Sequence, residues 1–110
     1  MKGRNQERYN VQARILKALA HPARLAMVDK LAGGERCVAE LTDLIGCDIS
    51  TISKHLFILR AAGIIESEKR GLSVYYRLRC PCIIQLLGCV EATMKEDVRK
   101  RLKVIKGRAG

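Results

Sequence analysis

The first half of the chain repeats apolar residues at the three- and four-residue spacing of amphipathic helices. This pattern predicts helices over residues 4–19, from 22 to about 31, and over 38–45. His21 is suited to cap the second helix and Pro22 to begin it, because the first helical position needs no backbone N–H bond. This half of the chain is therefore predicted to be helical.

A tight turn at residues 46–48 leads into a fourth predicted helix. Asp48 or Ser50 can cap its start, and Gly63 ends it. Its apolar positions, expected to face inward, are Ile49, Ile52, Leu56 and Leu59. Two short helices joined by such a turn form a helix-turn-helix unit.

The apolar period changes to two after Gly63. Ile64 and Ile65 lead into alternating residues as far as Lys69, and residues 72–78 alternate in the same way. Arg70-Gly71 lies between them as a turn, so this region predicts a β-hairpin.

Pro81 opens a long final helix in this interpretation. Its apolar stripe, spaced by threes and fours, is Ile83, Leu87, Val90, Met94, Val98, Leu102 and Ile105. A stripe of this length resembles a coiled-coil seam and exceeds what one small domain needs to bury, which favours a dimer. The tail from about 95 to 110 carries seven Lys and Arg between Lys95 and Arg108 and is expected to be solvated and partly frayed.

Length and charge narrow the functional class. The 110 residues predict a single domain over 1–110, and the net charge of +10 favours a polyanionic partner. With no Trp and one Phe the chain has few stacking side chains, so duplex DNA is favoured over single strands. No apolar run is long enough to span a bilayer, and residues 1–9 do not resemble a secretory signal. A cytoplasmic protein without membrane contact is therefore expected.

The predicted order of two short helices and a basic hairpin is that of a winged helix-turn-helix domain, mainly α with a small β-hairpin. Short hydroxyls and cations on the fourth helix suit base edges and phosphates, and a cationic hairpin tip suits the adjacent backbone. The residues predicted to contact DNA are Ser50, Thr51, Ser53, Lys54, His55, Lys69 and Arg70.

Three of the five cysteines, Cys80, Cys82 and Cys89, lie within ten residues, and neither histidine is near them. A cluster of thiols alone favours a thiophilic ligand or redox chemistry. In the cytoplasm such thiols are expected to stay reduced rather than to form a disulfide framework. No nucleophile with a base and no phosphate-binding loop is evident, so an enzyme is not expected. Cys47 is interpreted as a packing residue.

Helix geometry limits how the three thiols could meet. Cys82 and Cys89 lie on one helix face but about 10 Å apart along its axis. Cys80, just outside the helix before Pro81, can approach Cys82. A shared site would need a distorted helix start, Cys89 of a second copy, or Cys37 as an additional ligand.

Four segments follow one another in a distinctive order: Ala18-Leu19-Ala20-His21-Pro22-Ala23-Arg24-Leu25, Glu35-Arg36-Cys37-Val38-Ala39-Glu40-Leu41, Ser50-Thr51-Ile52-Ser53-Lys54-His55-Leu56 and Arg70-Gly71-Leu72-Ser73-Val74-Tyr75-Tyr76. Together they resemble the ArsR/SmtB metalloregulators over about residues 12–92. The resemblance implies a homodimeric winged-helix repressor that pairs through its first and last helices. In this family, inducer binding or thiol modification releases the operator.

The resemblance also ranks the inducers. The arsenic sensors commonly carry two cysteines, one residue apart, in the third-helix motif. Here the first of these positions is Cys37, but the second is Ala39, so a site of that kind is incomplete. What remains is similar to arsenic sensors with a cysteine trio at the start of the last helix, which implies trivalent arsenic or antimony as inducer at the Cys80, Cys82 and Cys89 thiolates. Two alternatives stay open: a redox or persulfide sensor of the same fold, and an architectural DNA-binding protein without an inducer.

Overall fold

The structure is a computed structural model that describes residues 3–109, with side chains described as far as residue 105. In chain order its elements are α1 (Arg4–Leu19), α2 (Pro22–Ala32), β1 (Arg36–Cys37), α3 (Val38–Ile45), α4 (Ile49–Ala61), β2 (Ile65–Arg70), β3 (Ser73–Leu78) and α5 (Cys82–Ala109). The predicted fold class, a winged helix-turn-helix that is mainly α, is confirmed.

Local capping explains where the helices begin. The His21 Nδ1 accepts a hydrogen bond of 3.1 Å from the Ala23 N–H at the start of α2. At the start of α4, the Asp48 carboxylate accepts one of 2.7 Å from the Thr51 N–H. These bonds satisfy N–H groups that a helix leaves unpaired in its first turn. Both predicted caps are confirmed, with Asp48 rather than Ser50 capping α4.

The hairpin belongs to a three-stranded antiparallel sheet in the order β1-β3-β2. The two-residue strand β1, which pairs Cys37 with Tyr75, was not predicted because two residues are too short to show a period. Arg70 pairs with Ser73 across the hairpin. Gly71 and Leu72 therefore form the tip, so the second strand does not begin at Leu72 as predicted.

The hydrophobic core lies between α2, α3, α4 and the base of the sheet. Its buried members are Ala18, Leu19, Met27, Val28, Leu31, Leu41, Ile52, Leu56, Leu59, Ile64 and Ile65. Ile49 was predicted to face inward, but it is 62% exposed. That prediction is wrong because the first turn of α4 extends beyond the core.

Helix α5 leaves the core soon after it starts. Of its side chains that the structure describes, Ile83, Ile84 and Leu87 pack against the buried cluster. The rest of its predicted stripe, 50–61% exposed, is Val90, Met94, Val98, Leu102 and Ile105. The helix continues through the basic tail to Ala109. Among the described residues, no helix is both long and apolar enough to cross a membrane.

Candidate DNA-binding surface and cysteine site

The start of α4 presents short polar side chains and one cation to solvent. Ser50, Ser53 and Lys54 are exposed, and Thr51 is half-buried. Hydrogen bonding from Thr51 lowers the pKa of the capping carboxylate of Asp48. These four predicted contact residues share the N-terminal half of α4. Their arrangement suits insertion of this helix into a major groove, with hydroxyls available to base edges and Lys54 to a phosphate.

His55 does not lie on that outward surface. It is 9% exposed, its ring centroid is 4.5 Å from that of His21, and its Nδ1 is 3.1 Å from Arg24 Nη1. Arg24 is itself fixed, because its Nε donates a 2.6 Å hydrogen bond to the Ala18 carbonyl. His55 was predicted to point outward, and that placement is wrong: three residues after Ile52, it lies on the buried side of α4. It holds α4 against the start of α2.

The environment of His55 has an electrostatic consequence. Burial lowers the pKa of the imidazole, and the neighbouring His21 and Arg24 lower it further. Each of these effects disfavours a proton on the ring. The contact between the recognition helix and the rest of the domain therefore favours the neutral form of His55.

Arg70 and Lys69, the two predicted contacts on the wing (β2, β3 and the tip between them), lie on opposite faces. Arg70 forms a two-pronged ion pair with Glu35, with its Nη2 2.9 Å from Oε2. It also bonds the Glu68 carboxylate at 2.8 Å and lies 4.9 Å from the centroid of the Tyr75 ring. Arg70 was predicted to be available at the tip, but its guanidinium is already engaged by three neighbours.

A second arginine extends this set of ion pairs toward the base of the wing. Arg77 bonds Glu66 at 2.8 Å and Glu68 at 3.0 Å, and lies 3.6 Å from Glu35. Hydrogen bonds from Arg70 and Arg77 lower the pKa of Glu68. We call Glu35, Glu66, Glu68, Arg70 and Arg77 the wing ion-pair cluster. This cluster was not predicted, although opposite charges at facing positions of the two strands are a usable signal in the sequence.

Two of the five cysteines meet at the junction between the wing and α5. Cys80 and Cys82 are joined by a disulfide with their Cα atoms 5.4 Å apart, although reduced thiols were expected. Pro81 lies between them, Cys82 is the first residue of α5, and both cysteines are exposed. The backbone makes a turn here, in which the Ile83 N–H donates a 3.2 Å hydrogen bond to the Cys80 carbonyl. This turn brings the two cysteines together.

The remaining cysteines are free. Cys89 is exposed on α5, whereas Cys37 and Cys47 are half-buried. Cys47 packs against the core, as predicted. In the described part of the chain, no three His, Cys, Asp or Glu side chains are grouped so that they could hold a metal ion. One protomer in this form therefore unites two of the three predicted ligands.

Comparison with known proteins gives the same architecture. The arsR family of bacterial regulatory proteins matches residues 21–67. The chain is 32% identical over 104 residues to the helix-turn-helix transcriptional regulator Rv0081 of Mycobacterium tuberculosis, covering 93% of this chain and 91% of that one. It is 41% identical over 85 residues to the biofilm growth-associated repressor of Xylella fastidiosa, covering 77% and 75%.

A solved structure shows a similar fold at nearly full length. The homodimeric winged helix-turn-helix DNA-binding domain of Mb0332 from Mycobacterium bovis, a possible ArsR-family regulator, is 30% identical to this chain. It superposes with a TM-score of 0.80, covering 91% of this chain and 93% of that domain. Fold and surface thus define a winged-helix DNA-binding protein. The chain belongs to the arsR family of bacterial regulatory proteins, and it is a transcriptional regulator.

Proposed function

We propose that the protein is a homodimeric repressor that binds duplex operator DNA and is released by trivalent arsenic or antimony. The observation that carries this proposal is the position of Cys80 and Cys82. Their sulfurs are adjacent, exposed and located where the DNA-binding wing joins α5. Once reduced, the pair offers two soft thiolates to a thiophilic ion.

The third ligand has to come from elsewhere. Trivalent arsenic takes three thiolates in a pyramid, and Cys89 lies two turns farther along α5, about 10 Å away. A second copy of the chain, through its own Cys89, could supply the missing thiolate, and so could Cys37. A site shared between protomers would couple ion binding to the relative position of the two recognition helices.

The dimer itself is proposed from the exposed face of α5. Val90, Met94 and Val98 form an apolar row whose side chains are 50–59% exposed. The related Mb0332 domain is a homodimer. Pairing through α5, with α1 beside it, would bury this row and place the cysteine pair between the dimer helix and the DNA-binding unit.

That position gives the ion a means to weaken DNA binding. The Arg79 N–H bonds the Ile64 carbonyl at 3.0 Å, so the chain is fixed to the core only one residue before Cys80. A change in geometry at Cys80 and Cys82 is therefore expected to move α5 rather than the wing. An ion that binds the form with poorly spaced recognition helices lowers operator affinity by mass action.

Arsenite titration of the reduced protein tests this proposal. A fluorescent duplex selected from a random-sequence pool serves as operator, and anisotropy reports binding in the presence of a phosphine reductant. We expect arsenite to release the wild-type protein, and the response to be lost in Cys80→Ser and Cys82→Ser. We expect it to be weakened in Cys89→Ser.

The matched control is Cys47→Ser, which removes a thiol that packs against the core. This variant should respond like the wild type. If Cys80→Ser, Cys82→Ser and Cys89→Ser are all still released by arsenite, the proposed ligand set is wrong. If Ser50→Ala and Lys54→Ala bind the selected duplex as tightly as the wild type, the proposed reading surface is wrong.

The disulfide favours a second candidate, a redox-sensing repressor. Hydrogen peroxide would convert the Cys80 thiol to a sulfenic acid and water. The Cys82 thiol would then displace the hydroxyl, forming the disulfide and a second water. In this case peroxide, rather than arsenite, changes DNA affinity, and the change reverses on reduction. If neither reagent alters affinity, the architectural alternative without an inducer is supported instead.

A further inference from the structure

The wing carries two neighbouring cations in contrasting environments. Residues of β2 alternate between its faces, so Lys69 shares a face with Ser67 while Arg70 shares the other with Glu68. Arg60 of α4 donates a 3.2 Å hydrogen bond to Ser67 Oγ, which identifies the Lys69 face as the one toward the recognition helix. Among the described residues, no acidic side chain lies within 4 Å of the Lys69 ammonium.

Arg70 is held on the opposite face by groups from three separate segments. Glu35 lies just before β1, Glu68 lies on β2 and Tyr75 lies on β3. The two-pronged geometry with Glu35 orients the guanidinium, and the Tyr75 ring restricts it further. Three carboxylates and two guanidiniums make up the wing ion-pair cluster, so this face carries a net charge of about −1 and repels a phosphate backbone.

We propose that Glu35 is a positioning residue that limits DNA affinity by holding Arg70 in this cluster. Lys69 then supplies the phosphate contact of the wing, while Arg70 supports the wing and does not touch DNA. This inference rests on the proposed DNA binding but is independent of the inducer.

Moving the Arg70 guanidinium from the wing ion-pair cluster to a phosphate should cost little stability. Exposed ion pairs contribute little to stability, because solvent screens them and long side chains lose freedom. A guanidinium freed at the wing tip could bond a phosphate and release a condensed counterion from the duplex. Arg70 is next to Gly71 at the tip, so its side chain is within reach of DNA once Glu35 no longer bonds it. The Glu68 carboxylate that still bonds Arg70 is shared with Arg77, so a phosphate competes with one exposed hydrogen bond rather than with a two-pronged pair.

The test is the affinity of the fully reduced protein for a random-sequence duplex, measured across a series of salt concentrations. Phosphate contacts do not depend on sequence, so no operator is needed. We expect Glu35→Gln to tighten binding several-fold and to steepen the slope of log K against log salt by about 0.9, the value of one phosphate contact. Lys69→Ala should make that slope shallower by about 0.9. Arg70→Ala should leave it nearly unchanged.

Glu66→Gln is the matched control, because it removes an equal charge from the same face but bonds Arg77 rather than Arg70. A general field effect would raise affinity equally in both Gln variants. The double variant Glu35→Gln, Arg70→Ala should lose the gain. The proposal is overturned if Glu35→Gln binds no more tightly than Glu66→Gln, or if the gain survives without Arg70. If the wild type binds no duplex at any salt concentration, the proposed DNA binding fails as well.

Discussion

Helices α4 and α5 carry equally regular apolar patterns, yet the apolar face is buried in α4 and largely exposed in α5. Ile52, Leu56 and Leu59 of α4 are at most 1% exposed, whereas Val98 and Leu102 of α5 are more than half exposed. A helical period identifies an apolar face but not the surface that covers it. Since one copy of the chain leaves the α5 face open, the difference indicates that its partner is another molecule.

Truncation at matched leucines is expected to give the largest effect. Leu56→Ala creates a cavity in the closed core and should lower the free energy of unfolding by about 2–5 kcal/mol. Leu102→Ala removes the same atoms from an open surface, so it should leave the domain folded and weaken dimerisation instead. Urea unfolding followed by circular dichroism measures the first effect, and sedimentation measures the second. Equal losses of stability in the two variants would contradict the contrast between the helices.

A charge on the α5 stripe should separate the protomers without unfolding them. Val98→Asp places a carboxylate in the proposed interface, where burial without a partner is costly. We expect sedimentation to show monomers and DNA affinity to fall at least tenfold, because one recognition helix then binds alone. Ala92→Asp adds the same charge off the stripe and should remain dimeric. A dimeric Val98→Asp protein would show that the stripe is not the interface.

The same contrast explains how much of the fold the sequence could predict. Helix starts marked by local chemistry, such as His21-Pro22 and Asp48, were predicted correctly because capping depends on residues close in sequence. The position of His55 was wrong because its environment depends on where the end of α1 and the start of α2 lie relative to α4. The position of Ile49 was wrong because the first turn of α4 extends beyond the core. No local pattern contains that information.

In the candidate site, too, features set by local residue types were predicted, whereas contacts between distant residues were not. The polar start of α4 was predicted from residue types, and its exposure is as expected for Ser50, Ser53 and Lys54. The engagement of Arg70 by Glu35 joins residues 35 positions apart in sequence, so spacing could not reveal it. The approach of Cys80 to Cys82 across Pro81 was predicted from their positions at the helix start, but their disulfide was not, because thiols were expected to stay reduced.

The smallest expected effect is a pH dependence of stability that originates in α4. Burial lowers the pKa of His55 in the folded protein, so the unfolded chain takes up this proton first as pH falls. The neutral ring therefore stabilises the fold fully above the unfolded value of about 6.5, and that stability is lost as pH falls from there toward the folded pKa. One proton limits the slope to about 1.4 kcal/mol per pH unit.

Urea unfolding between pH 7.5 and 5 measures this loss above the range where carboxylates titrate. The groups that face the ring are Arg24 and His21 from the start of α2, and both would repel the added charge. His55→Gln keeps a polar side chain but cannot take up the proton, so its stability should vary less over this interval than that of the wild type. An identical pH dependence in the two proteins would assign the loss to other groups. It would also show that the contact between α4 and α2 does not depend on the charge of His55.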